Sequence, residues 1–208
     1  MIIREQIEDK FGGKAFERPL FYRYEGGLRF ELSGDGNYLN QFLTAHQKAM
    51  EVCQQVFRTC EDITICVRIF GGNKLLSRLS TLRELREAGL LPETNKEHWT
   101  QFDEEWRGDE DYADSLWHYI AFKASKEYLI NALWCALASD FGFIKPNPMA
   151  AVYLFNLTQD VMVFPYDDRG MDVVGPNQHF LKELYDAFGD YLLEYDREAM
   201  DASFLQKP

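Results

Sequence analysis

The sequence predicts an α+β fold, in which about four helices cover a largely antiparallel or mixed sheet. Apolar segments bounded by turn residues lie near both ends of the chain, and segments with helical periodicity lie between them. The chain has 208 residues, of which 46% are hydrophobic and 15% aromatic. That length and composition suit one domain with a substantial core, so we assign residues 1–208 to a single domain.

The first half of the chain predicts helices around a hairpin and a strand. In chain order these are a helix at residues 2–11, an N-terminal hairpin formed by residues 20–24 and 28–32, a helix at residues 38–59, a strand at residues 63–70 and a helix at residues 77–88. Gly26 and Gly27 provide the turn of the hairpin, and Asn37 is a good N-cap for the long helix. The apolar stripe of that helix includes Leu39 and Leu43, which we expect to face the core.

The second half predicts a strand, a buried helix, three consecutive strands and a last helix. The ranges are residues 116–122, then 126–141, then a C-terminal three-stranded meander at 151–155, 161–164 and 171–174, and a helix that begins after residues 175–177. The helix at 126–141 is apolar on nearly every side, which predicts a central position. The charged tail is expected to pack back through Met200 and Phe204.

Residues 93–114 predict an acidic surface loop. Its second half, residues 103–114, contains seven acids and one base together with two aromatic residues. A solvated acidic face is one interpretation. The other is a docking surface, in which the aromatic rings anchor a basic protein and the carboxylates steer its approach. The predicted partner-binding residues are Asp103, Glu104, Glu105, Trp106, Asp109, Glu110, Asp111 and Tyr112.

The net charge of −12 arises from 34 acidic and 22 basic residues. Such a surface repels nucleic acid and anionic lipid, so we expect neither as a partner. No apolar run approaches the roughly 20 residues that span a bilayer, and the N-terminus lacks a signal-peptide pattern. The four cysteines, Cys53, Cys60, Cys66 and Cys135, form no metal-binding or disulfide spacing. They predict reduced core thiols and a cytoplasmic protein.

Three aspartates lie in the turn between the last two strands of the meander. Asp167, Asp168 and Asp172 have the oxygen ligands that Mg²⁺ or Ca²⁺ prefers, but Arg169 would compete with a metal. The other interpretation is a structural turn in which aspartates accept backbone N–H groups and Gly170 supplies a positive φ. In that case we expect Arg169 to pair with Asp172, or with Asp196 or Glu198 in the tail.

The segments Tyr166–Val173, Leu184–Phe188 and Leu192–Glu198 resemble a bacterial family of uncharacterised proteins. That family is characterised by a C-terminal "DDRG-x-DV" segment followed by a helix ending near "YDRE". Leu28–Leu32 and Asp140–Gly142 are also similar. The resemblance implies a bacterial source, and it implies no activity and no catalytic residues.

Two functional hypotheses follow. The four histidines are scattered and no nucleophile motif accompanies them, so the sequence favours a binding protein over an enzyme and predicts no cofactor. The first hypothesis is a cytoplasmic interaction protein, most concretely the immunity protein of a toxin–antitoxin pair that neutralises a basic toxin domain. The alternative is a metal-dependent or nucleotide-handling enzyme that uses Asp167, Asp168 and Asp172.

Overall fold

The computed structural model of the protein describes residues 2–72, 78–102 and 115–205. These residues form an antiparallel sheet of seven strands with six α-helices. The helices are α1 (Ile3–Phe11), α2 (Tyr38–Val56), α3 (Leu79–Glu87), α4 (Leu129–Leu137), α5 (Gln178–Ala187) and α6 (Arg197–Phe204). The strands are β1 (Leu28–Glu31), β2 (Asp62–Gly72), β3 (Lys96–Phe102), β4 (Ser115–Ser125), β5 (Ala151–Asn156), β6 (Val161–Asp167) and β7 (Gly170–Val174).

The strands lie in the order β1-β7-β6-β5-β2-β4-β3, and every neighbouring pair is antiparallel. The predicted α+β class and the C-terminal meander β5-β6-β7 are therefore confirmed. The described residues contain six helices where about four were predicted. Five of them correspond to the five helical ranges predicted above, and the sixth is α6 in the tail, which buries Met200 and Phe204 as the tail prediction required.

The predicted N-terminal hairpin of residues 20–24 and 28–32 does not form. Leu20–Arg23 form one turn of 3₁₀ helix, and β1 pairs instead with β7, with Leu28 opposite Val173. Leu20 and Phe21 are both buried although they are consecutive, and they join different core clusters. A strand sends consecutive side chains to opposite faces of one sheet, whereas the helical turn lets this segment fold over the end of β7.

The predicted acidic loop at residues 93–114 begins with a strand that the sequence did not reveal. Strand β3 pairs with β4 along its whole length, from Lys96 opposite Phe122 to Phe102 opposite Leu116. It is an edge strand and mostly exposed, so it lacks the apolar alternation that marks a half-buried strand.

The sheet separates two layers of core. Alternate residues of β2, such as Ile65 and Val67, pack in the larger cluster with α2, α4 and α5. The residues between them face the other way, where Cys66 packs with Tyr153 and with Ile7 and Phe11 of α1. This period-2 alternation gives each face of the sheet its own helical cover.

All four cysteines carry free thiols, and Cys53, Cys66 and Cys135 are buried, as predicted. Burial raises the pKa of the Cys135 thiol to about 12, so this thiol is held in its unreactive protonated form. Cys60 differs from the prediction because it follows the end of α2 and is half-buried. Within the described ranges, no helix is both long and apolar enough to cross a membrane.

Candidate protein-binding surface

The predicted docking residues of the acidic loop, Asp103 to Tyr112, lie outside the described residues. What the structure fixes is where this segment is attached. Phe102 and Leu116 pair at the ends of β3 and β4, so the segment joins two adjacent strands at one end of the sheet. The partner-binding role of these residues stays a prediction.

The aspartate turn after β6 is held together by its own side chains. One carboxylate oxygen of Asp167 accepts the backbone N–H groups of Arg169 and Gly170, at 2.8 and 3.2 Å. The other accepts the Arg169 guanidinium. The backbone oxygen of Arg169 also accepts the N–H of Leu32, at 2.8 Å, which ties the turn to the end of β1. The turn therefore has the structural geometry that the sequence suggested.

Two details of that prediction are wrong. Gly170 does not have a positive φ. It is required because a Cβ at this position would overlap the phenol ring of Tyr166. Arg169 pairs with Asp167 and not with Asp172 or the tail, because Asp172 lies on the strand and is already bound to another arginine.

That arginine is Arg29 of β1, which joins three separated segments of the chain. Its Nε lies 2.8 Å from Asp172 Oδ1, and its Nη1 lies 2.9 Å from Asp196 Oδ2. The Tyr22 hydroxyl donates to the other oxygen of Asp196, at 2.8 Å, and the N–H of Phe21 donates to Asp172, at 3.1 Å. All oxygens of both carboxylates thus accept hydrogen bonds, which is what burial of charge demands.

Burial would lower the pKa of the Arg29 guanidinium, but the hydrogen bond and charge of Asp172 raise it overall. Burial also raises the pKa of Asp172, against the opposing effect of Arg29. The arginine is therefore firmly charged, and the two aspartates stabilise that charge. This network is a structural link, since its charged groups pair with one another.

Asp167 and Asp172 bind different arginines, so the three aspartates of the turn do not act as one ligand set. Asp168 is half-buried, and its pKa is raised by burial and by the negative charges of Asp167 and Asp140. Among the described residues, no group of three or more His, Cys, Asp or Glu side chains is placed to hold a metal ion.

A different surface has features that point to a partner. Tyr38 and Leu39 at the start of α2 and Phe143 after α4 are 66%, 55% and 64% exposed, and Leu43 one turn further along α2 is 50% exposed. The rings of Tyr38 and Phe143 lie 6.2 Å apart. Ile130 of α4 is 53% exposed, and its backbone oxygen lies 3.2 Å from His46 Nε2 of α2. We call the five exposed side chains the α2–α4 surface.

The α2–α4 surface is exposed because α2 packs on its neighbours through a different stripe. Phe42, Ala45 and Ala49 are fully buried, and Phe42 contacts Trp134 of α4 at a ring distance of 4.8 Å. Leu39 and Leu43 lie on the helix surface beside that buried stripe, where their side chains are half exposed. The sequence placed both leucines in the core, and the structure corrects this.

The loop that carries Phe143 is fixed from beneath. The side-chain amide of Asn147 donates to the backbone oxygens of Ala138 and Phe141, at 2.6 and 3.2 Å. The Glu84 carboxylate of α3 accepts the Asn147 N–H at 2.8 Å and the Lys145 ammonium at 3.2 Å. These bonds lower the pKa of Glu84, the backbone bond from Asn147 most of all. Phe143 is therefore presented on an ordered loop.

Two exposed carboxylates lie close in sequence to the aromatic residues of the α2–α4 surface. Asp35 and Asp140 are exposed, and each stands three residues before one of the two aromatic residues, Tyr38 and Phe143. Asp168 is close enough to Asp140 for the two negative charges to interact. Exposed apolar side chains with acids close by in the sequence fit a basic protein partner.

Comparison with known protein families matches residues 3–196 to the family described as Domain of unknown function (DUF3885). The chain belongs to the DUF3885 family. No curated protein and no solved structure matches the chain. The resemblance to an uncharacterised family is thus confirmed. The DUF3885 match runs from α1 to Asp196, and it therefore includes Arg29, Asp172 and Asp196, which together we call the Arg29 network.

Sequence reasoning missed the principal residues of the DUF3885 structure described above. Arg29 was visible only as a polar residue in an alternating strand, since its partners lie 143 and 167 positions away. The α2–α4 surface could not be separated from the core, because exposed and buried leucines have the same helical spacing.

Proposed function

We propose that this DUF3885 protein is a cytoplasmic interaction protein that binds a basic protein partner through the α2–α4 surface. Its most concrete form is a bacterial immunity protein that neutralises a basic toxin domain. The observation that carries the proposal is the exposure of Tyr38, Leu39, Leu43 and Phe143, of which the two rings lie 6.2 Å apart, with two exposed acids close by in the sequence. The net charge of −12 supports it, because it accelerates encounter with a basic partner.

The chemistry of the partner follows from this surface. Aromatic and aliphatic side chains at the centre require an apolar partner segment, which would provide most of the affinity. The two exposed carboxylates require Lys or Arg around that segment and would contribute mainly to the association rate.

The experiment uses the purified product of the neighbouring toxin-like gene, inactivated by mutation, and measures its binding to the full chain by calorimetry. The test variants are Leu39→Ser and Phe143→Ser. The control is Tyr195→Ser, because Tyr195 is also highly exposed but lies outside the α2–α4 surface. Loss of a central anchor should cost about 2 kcal/mol, or about 30-fold in affinity, while the control should bind as the wild type does.

A further variant, Trp106→Ser, separates this surface from the acidic loop. If Trp106→Ser abolishes binding and the α2–α4 variants do not, the partner docks at the loop, and our assignment of the surface is wrong. If no toxin-like gene is adjacent and the chain binds no basic protein at low salt, the immunity proposal itself fails.

No observation in the described residues favours the alternative of a metal-dependent or nucleotide-handling enzyme at Asp167, Asp168 and Asp172. Two of these aspartates bind separate arginines. Calorimetry with Mg²⁺, Mn²⁺ and Ca²⁺ on the wild type and Asp168→Ala would reveal stoichiometric metal binding if this alternative were correct.

We also propose that the "DDRG-x-DV" and "YDRE" segments characterise the family because they form one structural unit. Asp167 and Gly170 build the turn, Asp172 binds Arg29, and Asp196 binds the same arginine. Sequences of further family members test this proposal, since Arg29 and both of its aspartates should be retained or lost together.

A further inference from the structure

A cleft of about 700 Å³ opens on the face of the sheet opposite α2 and α4. Its floor is formed by side chains of β2, β3 and β4, and its wall by α1 and the segment that follows it. The volume lies within the range of small-molecule sites, roughly 300–1,000 Å³. Because this cleft and the α2–α4 surface lie on opposite faces, each can be tested without the other.

The charge of the cleft is opposite to that of the chain. Four arginines and two glutamates line it, so its lining is positive in a chain of net charge −12. Arg4 and Arg23 form ion pairs with Glu8 and Glu17, at 2.7 and 3.3 Å. The other two arginines that line the cleft are Arg18 and Arg68.

Arg18 and Arg68 have no carboxylate within ion-pair distance in the described part of the chain. Arg68 Nη1 donates to the backbone oxygen of Phe16 at 3.1 Å and to the Tyr153 hydroxyl at 3.4 Å, and its Nε has no hydrogen-bond partner among these residues. Arg18 Nε donates to the same hydroxyl, at 3.3 Å. Tyr153 thus holds two arginines of the cleft, and no carboxylate of the described residues pairs with either of them.

Aromatic rings line the rest of the floor. Trp99 of β3 stacks on Tyr119 of β4, with ring centroids 5.0 Å apart and planes 1° apart. The Arg68 guanidinium lies 3.7 Å from the ring centroid of Trp117. Phe16 closes the wall at 4.7 Å from the Tyr119 ring. Among the described residues, flat aromatic surface therefore lies beside guanidinium groups that pair with no carboxylate.

We propose that this cleft binds a small planar anion, namely an aromatic or heteroaromatic ring that carries a phosphate or carboxylate group. Arginine recognises both anionic groups through paired N–H donors. The ring would lie against Trp99 and Phe16, since aromatic faces and edges attract one another. A nucleoside monophosphate and an aromatic carboxylate share this chemistry, and the experiment separates them.

Calorimetry on the full chain tests the proposal with four probes, which are adenosine 5′-monophosphate, adenosine, inorganic phosphate and indole-3-carboxylate. At least one ring-bearing anion should bind with one-to-one stoichiometry, about tenfold or more tighter than adenosine or phosphate. Binding of the monophosphate alone assigns the site to nucleotides, and binding of the carboxylate alone assigns it to aromatic acids.

The variants are Arg18→Gln and Trp99→Leu, and the control is Arg83→Gln, an exposed arginine of α3 that lies away from the cleft. The first two should weaken binding about tenfold and the control should not change it. Circular dichroism and the thermal midpoint show whether each variant is folded, and Arg68→Lys serves as a second cleft variant. The proposal is overturned if neither ring-bearing anion saturates the protein, if phosphate binds as well as they do, or if folded cleft variants bind like the control.

Discussion

Arg29 is the residue at which the start, the meander and the tail of the chain meet. It is 12% exposed and holds two carboxylates that are 2% and 6% exposed. Replacing it by methionine leaves both charges buried without a partner, so Arg29→Met should lower the free energy of unfolding by about 3–5 kcal/mol. Urea denaturation measures this.

Arg169 provides the matched comparison, because it also pairs with a buried aspartate but is 74% exposed. An exposed ion pair contributes little, so Arg169→Met should cost less than about 1 kcal/mol. Adding Asp172→Asn and Asp196→Asn to Arg29→Met should recover part of the loss. An equal loss in the free energy of unfolding for Arg29→Met and Arg169→Met would show that the Arg29 network stabilises the fold no more than an exposed ion pair does.

The two aspartates of the turn, Asp167 and Asp168, should differ in what they contribute to stability. Asp167→Ala removes the acceptor of two backbone N–H groups and should cost about 1–2 kcal/mol. Asp168→Asn should be neutral or slightly stabilising, because its charge is disfavoured by burial and by Asp167. Thermal denaturation of the two variants compares them, and a larger loss for Asp168→Asn would contradict the assigned roles.

Gly170 allows a test by compensation. Gly170→Ala should destabilise the protein by about 1–3 kcal/mol, because the new methyl group overlaps the Tyr166 ring. In a Tyr166→Ala background the same substitution should cost much less, since the overlap is removed. Additive losses would show that the ring is not the reason for this glycine.

At the scale of elements, Glu84 couples α3 to the loop that presents Phe143. Its pKa is lowered in the folded protein, so it contributes stability above its ordinary pKa of 4.5 that is lost as the pH falls through the lower folded value. Glu84→Gln should therefore be less stable than the wild type at neutral pH, and the difference should disappear in acid. Thermal midpoints across this range measure it, and a difference that does not change with pH would contradict the role of the Glu84 charge.

The elements also show what local sequence can predict. Helix α2 and its Asn37 cap were predictable because helical periodicity and capping are local, and the Asn37 side chain does accept the Asn40 N–H at 3.0 Å. Strand β3 was not predictable, because an edge strand with both faces largely exposed carries no apolar pattern. Leu20–Arg23 has strand composition, but packing over the end of β7 overrides that local preference.

At the scale of the molecule, the predicted class and meander needed only apolar patterns and turns, whereas the candidate sites needed long-range geometry. Which leucines of α2 remain exposed depends on how α2 packs against α4. The cationic cleft could not be seen in an acidic sequence, because Arg18 and Arg68 are 50 positions apart and come together in the fold, where both donate to the hydroxyl of Tyr153 on β5.

The most direct test of the central claim is the salt dependence of binding between the full chain and the inactivated product of the neighbouring toxin-like gene. For the wild type, raising the salt concentration from about 50 to about 500 mM should slow association markedly, because the exposed acids are screened. Phe143→Ser should keep that dependence but dissociate about 30-fold faster. Binding unaffected by both salt and Phe143→Ser would contradict the account.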